Sequence, residues 1–221
     1  MCSVYMIKSI VIYGAGGFAR EVLQVLHAIN AVSPTWRCLG FIVEPGYAAP
    51  ESLHDLPVFD SVEHVPDQSE LWLSIAIGDP HTRWRVADDV GRLTTAAFPA
   101  LVHPQAWIGD RVRLGAGTVV CAGAMITTDI SLGEHVQVNL CATIGHDTAI
   151  GRCTTVSPGA NISGRVSIGE RVEIGTAASV IPGVEIGADC VIGASSAVIR
   201  SLPSGATAVG VPARVVRMRN A

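Results

Sequence analysis

From Ile108 onward an aliphatic residue returns at every sixth position. The series runs Ile108, Leu114, Val120, Ile126, Leu132, Val138, Ile144, Ile150, Val156, Ile162, Ile168, Ile174, Val180, Ile186, Ile192 and Val198. Val102 extends it one step earlier, and Ser204 ends it. The next residue is usually small, as at Gly109, Gly115, Gly133, Gly145, Gly151, Ser157, Ser163, Gly169, Gly175, Gly187 and Gly193. A six-residue step rotates an α-helix by about 600°, which would smear these positions around its surface. A single strand of such length does not occur. A solenoid accommodates the pattern: three short strands joined by tight corners form a coil of about 18 residues, and stacked coils bury one aliphatic column. The branched side chains suit short pleated strands. The unbroken phase from 102 to 198 leaves no room for an inserted loop and predicts about five coils.

The first hundred residues follow a different pattern. Lys8–Tyr13 reads as a buried strand and Gly14-Ala-Gly-Gly-Phe-Ala19 as a glycine turn. Ala19–Ala31 reads as an amphipathic helix with Val22, Leu23, Leu26 and Ile29 on one face. Leu39–Val43 and Leu71–Ile77 read as further strands, and Arg83–Leu93 as a second helix. This predicts a small Rossmann-like βαβ domain over residues 1–100, followed by a β-helix with its tail over 101–221. The helix N-terminus is aimed at whatever lies over the glycine turn. Gly14-x-Gly16-x-x-Ala19 satisfies the dinucleotide fingerprint. The domain is nevertheless too short for the second mononucleotide half that NAD needs.

Composition narrows the function. The net charge is −4 and only 15% of residues are charged, so no basic footprint for nucleic acid is present. No apolar run approaches the roughly 18 residues of a membrane span, and the N-terminus lacks the form of a signal peptide. The six cysteines show no metal spacing and read as buried thiols in a reducing cytoplasm. No metal is implied.

The repeat resembles that of the hexapeptide-repeat acyltransferases, and Ile181-Pro-Gly-Val184 and Gly210-Val-Pro-Ala-Arg214 resemble their C-terminal signatures. Over almost the whole chain the resemblance narrows to the sialic-acid O-acetyltransferase and bacillosamine/perosamine N-acetyltransferase type. Its marks are Tyr13-Gly-Ala-Gly-Gly-Phe-Ala-Arg20, Ala76-Ile-Gly-Asp79, His103-Pro104, Asn139 with Thr143-Ile-Gly-His-Asp147, and Gly210-Val-Pro-Ala213. The resemblance implies a left-handed parallel β-helix, a homotrimer and acetyl-CoA as co-substrate. The implied acceptor is the amine or hydroxyl of a small sugar or nucleotide-linked sugar, for surface polysaccharide or glycan synthesis.

It also implies site residues. Gly14, Gly16, Gly17, Glu44 and Asp79 would lie near the nucleotide-sugar, although family members often carry Asp where this chain has Val43-Glu44. His146 would be the general base, with Asp147 orienting it, and Asn139 would orient the acceptor. CoA would lie near Gly193, Gly210, Pro212 and Arg214. Eighteen residues beyond His146, one coil on, stands Gly164. A glycine there leaves space and an approachable N–H beside the imidazole, which suits an oxyanion donor. A corner glycine with positive φ is the alternative. Where several family members carry a second histidine nine residues after the base, this chain has Thr155. Among the other histidines, His54, His64 and His81 read as solvent-facing, and His103 as closing the end of the β-helix.

Two other readings use the same scaffold. A γ-type carbonic anhydrase needs an H-x₄-H pair that this chain lacks. A non-catalytic nucleotide- or NAD-sensing module would use the glycine turn alone.

Overall fold

The computed structural model describes residues 7–66 and 70–219. Its N-terminal part begins β1 (Lys8–Tyr13), α1 (Gly17–Val32) and β2 (Trp36–Ile42). Then come β3 (Ser52–Leu53), β4 (Leu56–Phe59), β5 (Trp72–Ile75) and α2 (Pro80–Leu93). The sheet has the order β3-β4-β2-β1-β5, parallel except for the β3–β4 hairpin. The three strands expected from the sequence are therefore joined by a short hairpin. β3 and β4 are too short to show alternation, and Pro57 stands in the hairpin opposite Ser52.

Beyond Leu101 the chain forms the left-handed β-helix. Two-residue strands end on each predicted aliphatic, from Leu101–Val102 through Ala197–Val198. Each pairs in parallel with the strand one coil on, as Ile126 with Ile144 and Ile144 with Ile162. Three faces result. The first runs through Leu101, Val119, Gln137, Thr155, Glu173 and Val191, the second through Trp107, Met125, Thr143, Asn161, Ser179 and Ala197, and the third through Arg113, Ser131, Ala149, Ser167 and Glu185. From Val120 to Val198 the inward aliphatics are buried in one column; Val102 and Leu114 at its open end are partly buried.

The small residues after the aliphatics are set by the neighbouring coil. They do not make the corner. A Cβ on Gly145 would lie 2.6 Å from Gly164 N, one on Gly151 2.6 Å from Glu170 N, and one on Gly133 2.7 Å from Arg152 N. The next coil's backbone excludes a side chain there. The corner turns two residues later, where the backbone is left-handed at Asp129, His135, Cys141, Asp147, Cys153, Arg165 and Arg171.

After the last coil, Ala206–Val209 continues the first face and turns back as Arg214–Met218, antiparallel. The N-terminal domain packs on the first face, so Leu101, Val119, Gln137 and Thr155 are buried although they point away from the aliphatic column. α1 contributes Val22, Leu23 and Leu26 to a cluster with Leu101, Val119 and Cys121. α2 lies along the corner between the third and first faces. Asp88 meets Arg152 at 2.7 Å, and the Trp84 ring lies between the guanidiniums of Arg152 and Arg171, each 4.3 Å from its centre. His81, expected in solvent, faces Asp189 at 3.7 Å. Successive helix turns thus meet successive coils, since about 5.4 Å of helix rise nearly matches the roughly 4.8 Å strand spacing. Of the cysteines, Cys121, Cys153 and Cys190 are buried, Cys38 is half-buried, and Cys141 is exposed because its corner turns outward. Cys2 lies outside the described residues.

His135 is buried under this helix, edge-on to Phe98 with ring centres 4.9 Å apart. Burial, aided by Arg152 and Arg83, pushes its pKa down to about 4. The folded protein keeps it neutral while the unfolded chain protonates it near pH 6.5, so it draws stability down as pH falls from 6.5 towards 4. The expected loss by pH 5 is about 2 kcal/mol per chain. Denaturant titrations at pH 7 and pH 5 measure it: His135→Phe is expected to flatten the difference, and an unchanged difference would show that other groups dominate the acid limb.

Candidate active site

Two places on the molecule carry chemistry. The first is a cavity of about 490 Å³ at the C-terminal edge of the N-terminal sheet. The glycine turn after β1 (Gly14, Gly16, Gly17), Glu44 beyond β2, Gly78 beyond β5, and Thr82 and Arg85 on α2 line it, with Phe18, Tyr47 and Pro50 adding apolar walls. This is the switch-point crevice where open α/β sheets take ligands. At Gly14 φ is +114°, and a Cβ would lie 2.8 Å from Ala76 O, so only glycine fits. Gly16 is the residue before α1, and the space where its side chain would begin is open, with nothing within 4 Å. The free N-terminal amides of α1 face the cavity, a setting that favours anions.

Glu44 is held rather than free. Arg85 donates to both carboxylate oxygens, at 3.1 and 3.0 Å, and the Tyr13 hydroxyl donates at 2.9 Å. The Arg85 guanidinium keeps the Glu44 carboxyl below its ordinary pKa, while burial and the Glu44 charge push the Tyr13 phenol up. Sequence reasoning found Glu44 but missed Arg85, whose partner lies 41 positions away. Asp79 does not line the cavity. It caps α2, accepting from Thr82 N at 2.7 Å.

The second place is the corner between the second and third faces. His146 stands there, exposed, its Nδ1 2.8 Å from Asp147 Oδ2. Asp147 occupies the left-handed corner position (φ 57°), which turns its carboxylate back onto the ring. An imidazole that donates from Nδ1 to this carboxylate keeps its Nε2 lone pair available to accept a proton. One coil on, Gly164 lies against the imidazole: a Cβ there would be 2.5 Å from Nε2. Gly164 is not in the left-handed region, so the alternative of a positive-φ corner glycine fails. Its smallness serves the histidine. Its carbonyl accepts from Gly183 N at 3.2 Å, and among the described residues its own N–H has no partner.

Other expected residues stand elsewhere. Asn139 is at the corner between the first and second faces, buried, its amide donating to Val156 O at 3.0 Å. Within one chain the whole second face separates it from His146. Gly193 lies at the Asn139 corner against Val209, whose side chain a Cβ there would meet at 2.8 Å. Gly210 (φ +98°) and Pro212 turn the tail, and Arg214 is exposed. Thr155 is under the N-terminal domain, accepting from Arg83 at 2.8 Å and donating to Gly78 O at 3.1 Å. Among the described residues no group of three or more His, Cys, Asp and Glu is placed to hold a metal ion, and no helix is long and apolar enough to cross a membrane.

Residues 9–90 match the PglD N-terminal domain family, and residues 165–200 the bacterial transferase hexapeptide (six repeats) family. No curated protein sequence matches the chain. Among solved structures, perosamine N-acetyltransferase (PerB) from Caulobacter crescentus, in complex with CoA and GDP-perosamine, is 34% identical. The match covers 96% of this chain and 99% of that one, with a TM-score of 0.84. The chain belongs to the hexapeptide-repeat sugar acetyltransferases. This acetyltransferase also resembles the acetyltransferase domain of PglB from Neisseria gonorrhoeae in complex with acetyl coenzyme A. There the identity is 25%, over 96% of this chain and 100% of that one, with a TM-score of 0.84. WeeI from Acinetobacter baumannii is 26% identical over 95% and 100%, with a TM-score of 0.83.

Proposed function

We propose that this acetyltransferase moves the acetyl group of acetyl-CoA onto the amine of a nucleotide-linked sugar, with His146 as general base, in cytoplasmic glycan synthesis. The observation that carries the reading is the end-to-end likeness to an enzyme crystallised with CoA and GDP-perosamine, in a chain that keeps both an anion-favouring cavity and an oriented histidine.

The chemistry follows from the corner. The amine nitrogen attacks the thioester carbon, the C–N bond forms and the C–S bond breaks. His146 Nε2 takes the proton from the nitrogen and returns it to the leaving thiolate. Asp147 supports the imidazolium that forms in between. The Gly164 N–H stabilises the developing oxyanion. No covalent intermediate on the enzyme is needed.

The reading includes a homotrimer, and the separation of the two places supports a site shared between copies. The cavity and Asn139 are on the first-face side, and His146 is on the opposite corner, so a sugar held by one chain meets the His146 of a neighbouring copy. CoA lies in the groove between the two β-helices, along Gly193, Gly210, Pro212 and Arg214. Gly14, Gly16 and Gly17 face the acceptor's phosphates.

Gly16→Leu tests the division of labour. Its backbone suits any residue and its side chain has space, so the fold is kept while the cavity shrinks. The acceptor KM is expected to rise about tenfold or more, as lost phosphate contacts would cost, and that of acetyl-CoA to stay within twofold. The reverse order would show that the two domains hold the opposite substrates.

A further inference from the structure

Arg83 is a full charge buried with no carboxylate partner among the described residues. Its side chain is 0% exposed, and burial lowers its pKa to about 10. It stays protonated at neutral pH. Isolated buried cations are costly, so the surroundings must satisfy it, and they do. Nε donates to His135 O at 3.0 Å. Nη1 donates to Ile77 O at 2.6 Å, Gly78 O at 3.0 Å and Gln137 Oε1 at 3.1 Å. Nη2 donates to Cys153 O at 2.7 Å and Thr155 Oγ1 at 2.8 Å.

These acceptors fall into two sets. Ile77 and Gly78 line the acceptor cavity. His135, Gln137, Cys153 and Thr155 belong to two consecutive coils of the β-helix. The same two cavity carbonyls are held a second time from the coils, Ile77 O by Gln137 Nε2 at 3.1 Å and Gly78 O by Thr155 Oγ1 at 3.1 Å. One guanidinium therefore ties the floor of the cavity to the β-helix of the same chain, one wall of the groove in which the cavity's sugar meets a neighbouring copy's His146.

We propose that Arg83 is a positioning residue for acetyl transfer: it fixes the acceptor cavity against the β-helix so that the sugar amine arrives in line with the thioester. Thr155, standing where several members of the resembled family carry a second histidine, serves the same tie and takes no part in the chemistry. The proposal rests on the acceptor reading given above. Only a planar fork with five donors satisfies this set. A lysine keeps the charge but cannot span both sides. Loss of the tie leaves each half-site intact and disturbs their relation, and a misplacement of about 1 Å can cost up to about 10²-fold in rate.

The test is Arg83→Lys in the full-length protein, assayed with acetyl-CoA and GDP-perosamine, or whichever nucleotide amino sugar the wild type acetylates. The expected result is a kcat lower by about tenfold to 10²-fold, with both KM values within about threefold of wild type. Val172→Ala, in the aliphatic column, is the control for stability. It is expected to lower the thermal midpoint while keeping kcat within twofold. Thr155→Val and Gln137→Leu are expected to lower kcat less, in the same direction, and carry the test if Arg83→Lys does not fold. A kcat within twofold of wild type in these variants overturns the proposal. So does a kcat loss in Val172→Ala that tracks its loss of thermal midpoint equally, or a rise in acetyl-CoA KM in place of the kcat loss. Failure of the acceptor reading looks different: the wild type then acetylates no nucleotide sugar, and this proposal falls with it.

Discussion

His146→Ala is expected to lower kcat by at least about 10², roughly 2.7 kcal/mol of barrier. The side chain is exposed on a corner and contributes nothing to the aliphatic column, so the fold, the oligomer and acetyl-CoA affinity are expected to persist. The attacking amine must shed a proton as its bond to the thioester carbon forms, and without the imidazole that proton goes to water. Asp147→Asn is expected to act in the same direction and more weakly, because it disturbs the hydrogen bond at Nδ1 and leaves Nε2 in place. Steady-state kinetics under conditions where chemistry limits the rate decide the matter. If His146→Ala keeps more than about a tenth of the wild-type kcat, a factor below that expected of general-base catalysis, another group takes the proton.

Gly164→Ala is expected to cost about 10² in kcat as well, by a different route. The added methyl would sit 2.5 Å from His146 Nε2, in the space the reacting atoms need. The obstacle is the end of an exposed side chain, so the imidazole swings away and the coil keeps its backbone. Acetyl-CoA is expected to bind with little change and the thermal midpoint to move little. Gly145→Ala provides the contrast. There the methyl meets the backbone of the next coil, at 2.6 Å from Gly164 N, and the expected loss is in stability. A Gly164→Ala enzyme with more than half the wild-type kcat would show that the reaction does not need the open space beside the imidazole.

The β-helix is legible in the sequence because its signal is redundant: sixteen aliphatics in one phase specify a coil of three strands, and each strand repeats the evidence. The pairing of Gly164 with His146 comes from the same arithmetic, since a step of eighteen residues is one coil. β1, α1 and β2 are legible from a buried apolar run, a glycine turn and a helical stripe. The β3–β4 hairpin is not, because two- and four-residue strands carry no period. Arg83 and Arg85 escape sequence reasoning for a physical reason: apart from the nearby Ile77 and Gly78 carbonyls and Asp89, their partners are between 41 and 72 positions away, and local pattern is silent on these. One signal for Arg83 is present. It shares the buried stripe of α2 with Val86, Ala87 and Val90, and a charge on an apolar helix face needs acceptors beyond the helix. The small residues after each aliphatic invite the wrong explanation. They answer to the backbone of the next coil, while the left-handed turn falls two residues later.

The central claim is acetyl transfer from acetyl-CoA to a nucleotide-linked amino sugar. The most direct measurement incubates the full-length protein with acetyl-CoA and a panel of nucleotide amino sugars that includes GDP-perosamine. Free CoA is followed by thiol titration and the sugars by mass spectrometry. The predicted result is one sugar gaining a single acetyl group on nitrogen, matched mole for mole by released CoA. CoA release without an acetylated sugar, or no acetyl-CoA consumption with any member of a panel spanning several nucleotides and amino sugars, would contradict it.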